Sequence, residues 1–223
     1  MQHSDLVEQI LETPDSYKVL EEVQSVLKKE QKARLEFREW LKDDIKAEFI
    51  NGEVIMHSPV KRGHLQATRN LLTLLSPYVI LKKLGEVASE KALIALSRND
   101  YEPDLCFWTT EQAKDFDKDT MVHPAPVFVV EVLSKSTQHK DKGIKFKDYA
   151  AHDITEYWMI NYKKELVLQY VLLTEKPKEY TLIKEWKTDE EIESTVIKGF
   201  KIPVKAIFDE TENLLALQKV LKR

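Results

Sequence analysis

The chain has 223 residues, of which 43% are hydrophobic and 32% charged, a balance that suits a folded core and excludes a long disordered tail. The formal net charge of −4 excludes nucleic-acid binding through a general positive field, so any such contact needs a local basic patch. A single cysteine, Cys106, excludes an internal disulfide and suits a reducing compartment, and five glycines without a phosphate-loop or dinucleotide pattern exclude those nucleotide sites.

In chain order, the first ten residues carry Asp5 and Glu8 and no apolar run, so they do not read as a signal peptide. Residues 1–45 read as a helical extension, with residues 46–223 as the main domain. Val19, Val23, Val26, Leu27 and Glu30 recur at spacings of three and four, an amphipathic helix with one apolar stripe. Leu35, Phe37, Trp40 and Leu41 predict a second short helix. The stripe would pack on the body or on a partner.

Residues 47–56 read as two short strands around Asn51-Gly52, a type I′ turn. Residues 64–84 predict a helix in which Pro77 is a kink or break, with Gly85 as its C-cap. Strands are expected at 86–96, 105–109 and 127–133. The run Val127-Phe128-Val129-Val130 is apolar on both faces and reads as a central strand. Residues 110–123 predict a surface loop or short helix, and 137–151 a helix. Strands at 157–161, 166–173 and 180–186 follow. No apolar run approaches the ~20 residues of a membrane span, so a cytoplasmic protein without membrane contact is expected. The order predicts a mixed α/β fold, a sheet with helices on its faces.

Two acids stand against strongly apolar segments. Asp104 follows Pro103 before one strand, and Glu131 closes another. An ionised carboxylate there is costly unless it is paired or bound to a cation. Two adjacent carboxylates repel, and Mg²⁺ removes that repulsion through hard oxygen ligands. The plainer readings are a turn residue for Asp104 and a solvent-reaching side chain for Glu131. Asp141, Lys145 and Tyr149 are spaced four apart and share a helix face. That spacing gives either a surface Asp–Lys pair or a lysine placed beside a metal, where its ammonium meets phosphate charge. Lys135, Lys140 and Lys142 would contact backbone phosphates. Cys106 reads as a small buried hydrophobe.

These segments together resemble a known family. Ala47-Glu48-Phe49-Ile50-Asn51-Gly52-Glu53-Val54, then Ser58-Pro59 and His64, resemble the opening of the Uma-type putative restriction endonucleases. Tyr101-Glu102-Pro103-Asp104 is similar to their PD segment, and residues 128–137 to their EVLSPST segment. Asp141, Lys145 and Tyr149, followed by Thr155-Glu156-Tyr157-Trp158-Met159-Ile160, resemble the next segment. Gly199-Phe200-Lys201-Ile202-Pro203-Val204 resembles the closing strand. The match spans about residues 47–208.

The resemblance implies membership of the PD-(D/E)XK superfamily. It implies a restriction-endonuclease-like mixed β-sheet flanked by helices, with Asp104 and Glu131 as the acidic motif. It further implies Mg²⁺ or Mn²⁺, with the Val132 carbonyl as an added ligand, and DNA as the partner. Lys145 is implied as the catalytic lysine and Glu53 as an early acid. Glu53 reads equally as an exposed strand residue, and His64 as a residue facing the site or a structural histidine. Three departures stand out. Leu133 occupies the superfamily's usual lysine position, Lys135 replaces a family proline, and the N-terminal region is longer. The leading reading is a metal-dependent endodeoxyribonuclease, with a homodimer suited to cutting both strands. The alternative is an inactive nuclease-fold module that binds nucleic acid or protein.

Overall fold

The computed structural model describes residues 3–42, 44–134, 138–173 and 178–222. Two helices, α1 (His3–Leu11) and α2 (Ser16–Trp40), precede a hairpin of β1 (Ala47–Ile50) and β2 (Glu53–Met56). Helix α3 (Arg62–Lys82) leads to β3 (Gly85–Ser89), β4 (Leu93–Ala95), β5 (Asp100–Tyr101) and β6 (Leu105–Thr109). A short α4 (Thr110–Ala113) and β7 (Val122–His123) connect to β8 (Phe128–Val132). Then come α5 (Gln138–Asp141), α6 (Ile144–Ala151), β9 (Glu156–Asn161), β10 (Leu166–Leu172) and β11 (Tyr180–Lys187). Last are β12 (Glu191–Glu193), β13 (Lys201–Pro203), α7 (Lys205–Phe208) and α8 (Glu210–Lys222).

Local chemistry sets several boundaries. Pro14 separates α1 from α2, because proline has no N–H to continue the helix. Residues 35–40, expected in a second helix, are instead the end of α2, with Leu41 as its extended C-cap and no breaker between them and Ser16. The I′ turn forms as expected, with positive φ at both Asn51 (51°) and Gly52 (86°). Pro77 neither splits nor ends α3. Leu74, Leu75, Tyr78 and Val79 are all buried around it, and their burial outweighs one lost hydrogen bond.

The cap of α3 is Lys83, left-handed at φ 54°, with its N–H and that of Leu84 turned back to Ile80 and Val79. Gly85 starts β3, where a Cβ would lie 1.9 Å from the Trp108 carbonyl oxygen. The expected strand at 86–96 is two strands, divided at Glu90 with φ 64°. The expected helix at 137–151 is also two. It is interrupted at Gly143, where a Cβ would meet the His139 carbonyl oxygen at 2.6 Å; its first position, Thr137, lies outside the described residues.

The main sheet has six strands in the order β11-β10-β9-β8-β6-β3, antiparallel except for the parallel pair β8–β9. One face carries Leu105, Phe107, Phe128 and Val130 and packs on α3, α7 and α8. The opposite face carries Cys106, Trp108, Val129 and Tyr157 and packs on α6 and on residues of a second sheet. That second sheet has five strands in the order β2-β1-β5-β4-β7. Helix α2 joins it through Phe37 and Leu41, which pack on Ala47, Phe49 and Leu93. Arg34 and Arg38 both donate to the buried Asp100 carboxylate. Among the described residues, no helix is long and apolar enough to cross a membrane.

Candidate active site

The site lies where β1, β6, β8 and α6 converge, at a cleft of about 860 Å³. Side chains alternate faces along a strand. Glu131 therefore points with Val129, and Asp104, one residue before β6, points with Cys106. Both lie on the face turned to α6. The antiparallel register pairs Leu105 with Val130, and its next step sets Asp104 opposite Glu131. The two acids singled out in the sequence thus lie on one face of the sheet, on facing strands.

A third acid joins them from β1. Glu48 shares its face with Ile50, which belongs to the core on that side of the main sheet. Its Oε1 lies 2.7 Å from the Lys145 ammonium and accepts from the Glu102 N–H at 3.1 Å. Lys145, a fully buried lysine on α6, also donates to Glu131 Oε1 at 2.9 Å and lies 3.7 Å from Asp141 Oδ1. Tyr149, one turn on, donates its hydroxyl to the same Glu131 oxygen at 2.9 Å. Asp104 Oδ2 accepts from the Val132 N–H at 2.7 Å and sits 3.2 Å from His64 Nε2. Lys46 approaches Asp104 Oδ1 at 3.7 Å, and His57 Nε2 lies 3.3 Å from Glu48 Oε2.

The electrostatics divide the acids. Burial pushes the Glu131 carboxyl up to about 8; Lys145 opposes the rise, while Asp141, Asp104 and Glu48 add repulsion. Burial also acts on Glu48, but Lys145 and His57 prevail and hold it at about 2. Burial would raise Asp104 as well, yet His64, Lys46 and the Val132 N–H keep it below the usual carboxylate range. Glu102 is raised by burial to about 7, and its Oε2 has no hydrogen-bond partner. For Lys145, burial disfavours the charge, but Glu131, Glu48 and Asp141 raise its pKa far above the ordinary lysine value.

Five acids, Glu48, Glu102, Asp104, Glu131 and Asp141, thus face two lysines, Lys46 and Lys145. Among the described residues, no three His, Cys, Asp or Glu side chains are already drawn into a ligating cluster. The donor chemistry still fits a hard divalent cation. It offers carboxyl oxygens in excess of positive charge, one of them, Glu102 Oε2, without a hydrogen-bond partner, and a cation there would relieve the burial and acid crowding that raise Glu131.

The fold brings together Asp104, Glu131, Lys145, Asp141, Tyr149 and His64. The Val132 peptide lies against Asp104 through its N–H. Lys140 lines the cleft, whereas Lys142 is exposed outside it. Lys135 lies outside the described residues. Glu53 is exposed on the edge strand β2 and does not line the cleft. Of the two readings of Glu53, the exposed strand residue matches its place, and Glu48 is the acid of this hairpin that faces the cleft. The available signal was an acid inside the strand Ala47-Glu48-Phe49-Ile50, every position of which is buried. Glu102, Lys46 and His57 were also missed.

A family model described as Putative restriction endonuclease (Uma2) matches residues 34–205. Among solved structures, the chain is similar to a protein from Anabaena variabilis ATCC 29413, described as a putative nuclease belonging to DUF820. Identity is 13% and the TM-score 0.65, over 79% of this chain and 96% of that one. At that identity the likeness is one of fold. A search of curated proteins gives no match.

Proposed function

The chain belongs to the Uma2 putative restriction endonuclease family, and from that premise we propose that it hydrolyses DNA phosphodiester bonds with Mg²⁺ or Mn²⁺. The observation that carries this reading is the placement of Asp104 and Glu131 opposite one another on one sheet face, with the Lys145 ammonium 2.9 Å from Glu131. Asp104 and Glu131 are the residues to hold the cation, with the Val132 carbonyl beside them. A divalent cation there supplies Lewis-acid polarisation of the phosphate and a water of lowered pKa.

The chain's own groups do the rest. His64 and the Val132 N–H fix the Asp104 carboxylate in place. Tyr149 and Lys145 fix Glu131. Lys145 stands where negative charge develops on the scissile phosphate, and as a preorganised donor in a buried site it acts more strongly than it would in water. Leu133 leaves the usual lysine position apolar, so Lys145 is the ammonium available from α6. Lys46, Lys61, Lys140 and Lys163 line the cleft and suit contact with flanking phosphates.

The test is plasmid cleavage with Mg²⁺ or Mn²⁺, together with calorimetric titration of Mn²⁺. Asp104→Ala should abolish both. Cutting that survives Asp104→Ala would overturn the assignment. One observation favours a second reading: three carboxylates already surround Lys145. A protein locked in that state would bind DNA without cutting it, giving a salt-sensitive gel shift and intact plasmid with either metal.

A further inference from the structure

The cleft combines two kinds of surface. Its acids are recessed, with Asp104 and Glu131 only 6% and 5% exposed, so a phosphate reaches them only if its strand enters the cleft. Other lining residues are apolar and open to solvent. Met56 from β2, Val60 from the connection to α3, and Leu65 from the first turn of α3 are 57%, 40% and 47% exposed. Tyr162, directly after β9, lines the same cleft and is half-buried. Its ring lies against Gly63, where a Cβ would meet Cδ2 at 2.6 Å, and edge-on to His64 at 6.5 Å between centroids. The first turn of α3 thus holds an aromatic ring in place one residue away from Asp104, to which His64 is bound.

Charge and shape together identify what this surface takes. Lys61, Lys140 and Lys163 line the cleft, and among the described residues none of them forms an ion pair. Two of them adjoin the apolar residues in the chain: Lys61 follows Val60, and Lys163 follows Tyr162. Unpaired lysines interleaved with an aromatic ring and apolar side chains suit a strand that offers phosphates and uncovered base faces at once. A duplex keeps its base faces stacked, and reading its base edges needs an element that projects into a groove, whereas these residues line a recess. We propose that the cleft takes a single unpaired DNA strand, with one base stacked on Tyr162 and its neighbours against Met56, Val60 and Leu65. Cleavage at Asp104 and Glu131 then acts on single-stranded or locally unpaired DNA. This substrate class rests on the reading of the cleft as a DNA site.

Fluorescence anisotropy tests it, with a labelled DNA oligonucleotide of about 12 nucleotides, either alone or annealed to its complement. EDTA is present, so no strand is cut and the readout is independent of catalysis. The single strand should bind at least about tenfold tighter than the duplex. Tyr162→Ala should weaken single-strand binding roughly tenfold and leave duplex binding unchanged, whereas Tyr162→Phe, which keeps the ring, should bind as the wild type does. Met56→Ser with Leu65→Ser, both at exposed positions, should also weaken the single strand selectively. Lys61→Ala with Lys163→Ala should weaken it and flatten its dependence on salt. Circular dichroism checks that each variant stays folded. A duplex bound as tightly as the single strand overturns the proposal. So does single-strand binding indifferent to both Tyr162→Ala and the Met56–Leu65 double variant. Plasmid cutting that Asp104→Ala abolishes, together with a preference for duplex, removes this proposal alone. A single-strand preference with neither plasmid nor oligonucleotide cut under either metal removes the nuclease reading and leaves the strand-binding cleft standing.

Discussion

Two buried acids on the main sheet, Glu156 and Glu131, differ in the partners they keep. Glu156, at the start of β9, is fully buried and surrounded by neutral donors. Trp158 Nε1, Gln169 Nε2, the Ser194 hydroxyl, and the backbone N–H groups of Thr195 and Val196 all point at it, within 2.6–3.1 Å. These donors tie the segment after β12 to the sheet. Glu131, on the neighbouring strand, is surrounded by charge, with Lys145 against it and Asp104, Asp141 and Glu48 close enough to repel it. Burial alone therefore does not mark a reacting acid. Neutral donors fully satisfy a carboxylate and lock it, whereas crowded carboxylates leave a demand for positive charge that one lysine does not meet.

Several substitutions break or sharpen this contrast. The largest effect should fall on cleavage: Glu131→Ala should reduce it at least on the order of 100-fold, the scale at which a charge-stabilising group contributes. Its circular dichroism should stay native. Glu156→Ala should do the reverse. It strands several donors at once, so urea unfolding should report a loss of about 3 kcal/mol, while activity per folded molecule holds. Lost activity in a stable, folded Glu156 variant would erase the distinction between the two acids. Arg38→Ala removes one of two guanidiniums from Asp100 and should lower stability by about 1 kcal/mol, with Arg34 still in place.

The smallest effect is a slope with pH. The Glu131 carboxyl sits at about 8 in the fold, against an ordinary value of 4.5. The native state therefore holds this proton more tightly than the unfolded chain does. Stability from this group is fully present below pH 4.5 and is lost as pH rises towards 8. Glu48, held at about 2, contributes oppositely: its share is present above 4.5 and is lost as pH falls towards 2. Denaturant titrations between pH 5 and 8 should show a shallower decline in Glu131→Gln than in the wild type. Equal slopes would remove Glu131 as the proton-holding acid.

Much of the fold was legible because periodicity is a local property. The I′ turn at Asn51-Gly52, the central strand β8 and the helix α3 all follow from spacing and turn chemistry over a few residues. The misread boundaries have physical reasons. At Gly143 the His139 carbonyl oxygen comes too close for a Cβ, and at Pro77 the burial of four neighbours overrode a breaker. Neither close approach nor burial is visible along the chain.

The sequence by itself determined which residue types were available: an acid before one apolar strand, an acid closing another, and a lysine one helical turn beyond Asp141. Only the tertiary structure decided which acids meet. Glu48 and Glu53 flank the same turn, but β1 lies inside its sheet beside β5 while β2 forms the edge. Strand order and facing register are fixed by contacts between segments far apart in sequence. An acid's place in the cleft follows from those contacts, and its own neighbours in the chain do not encode them.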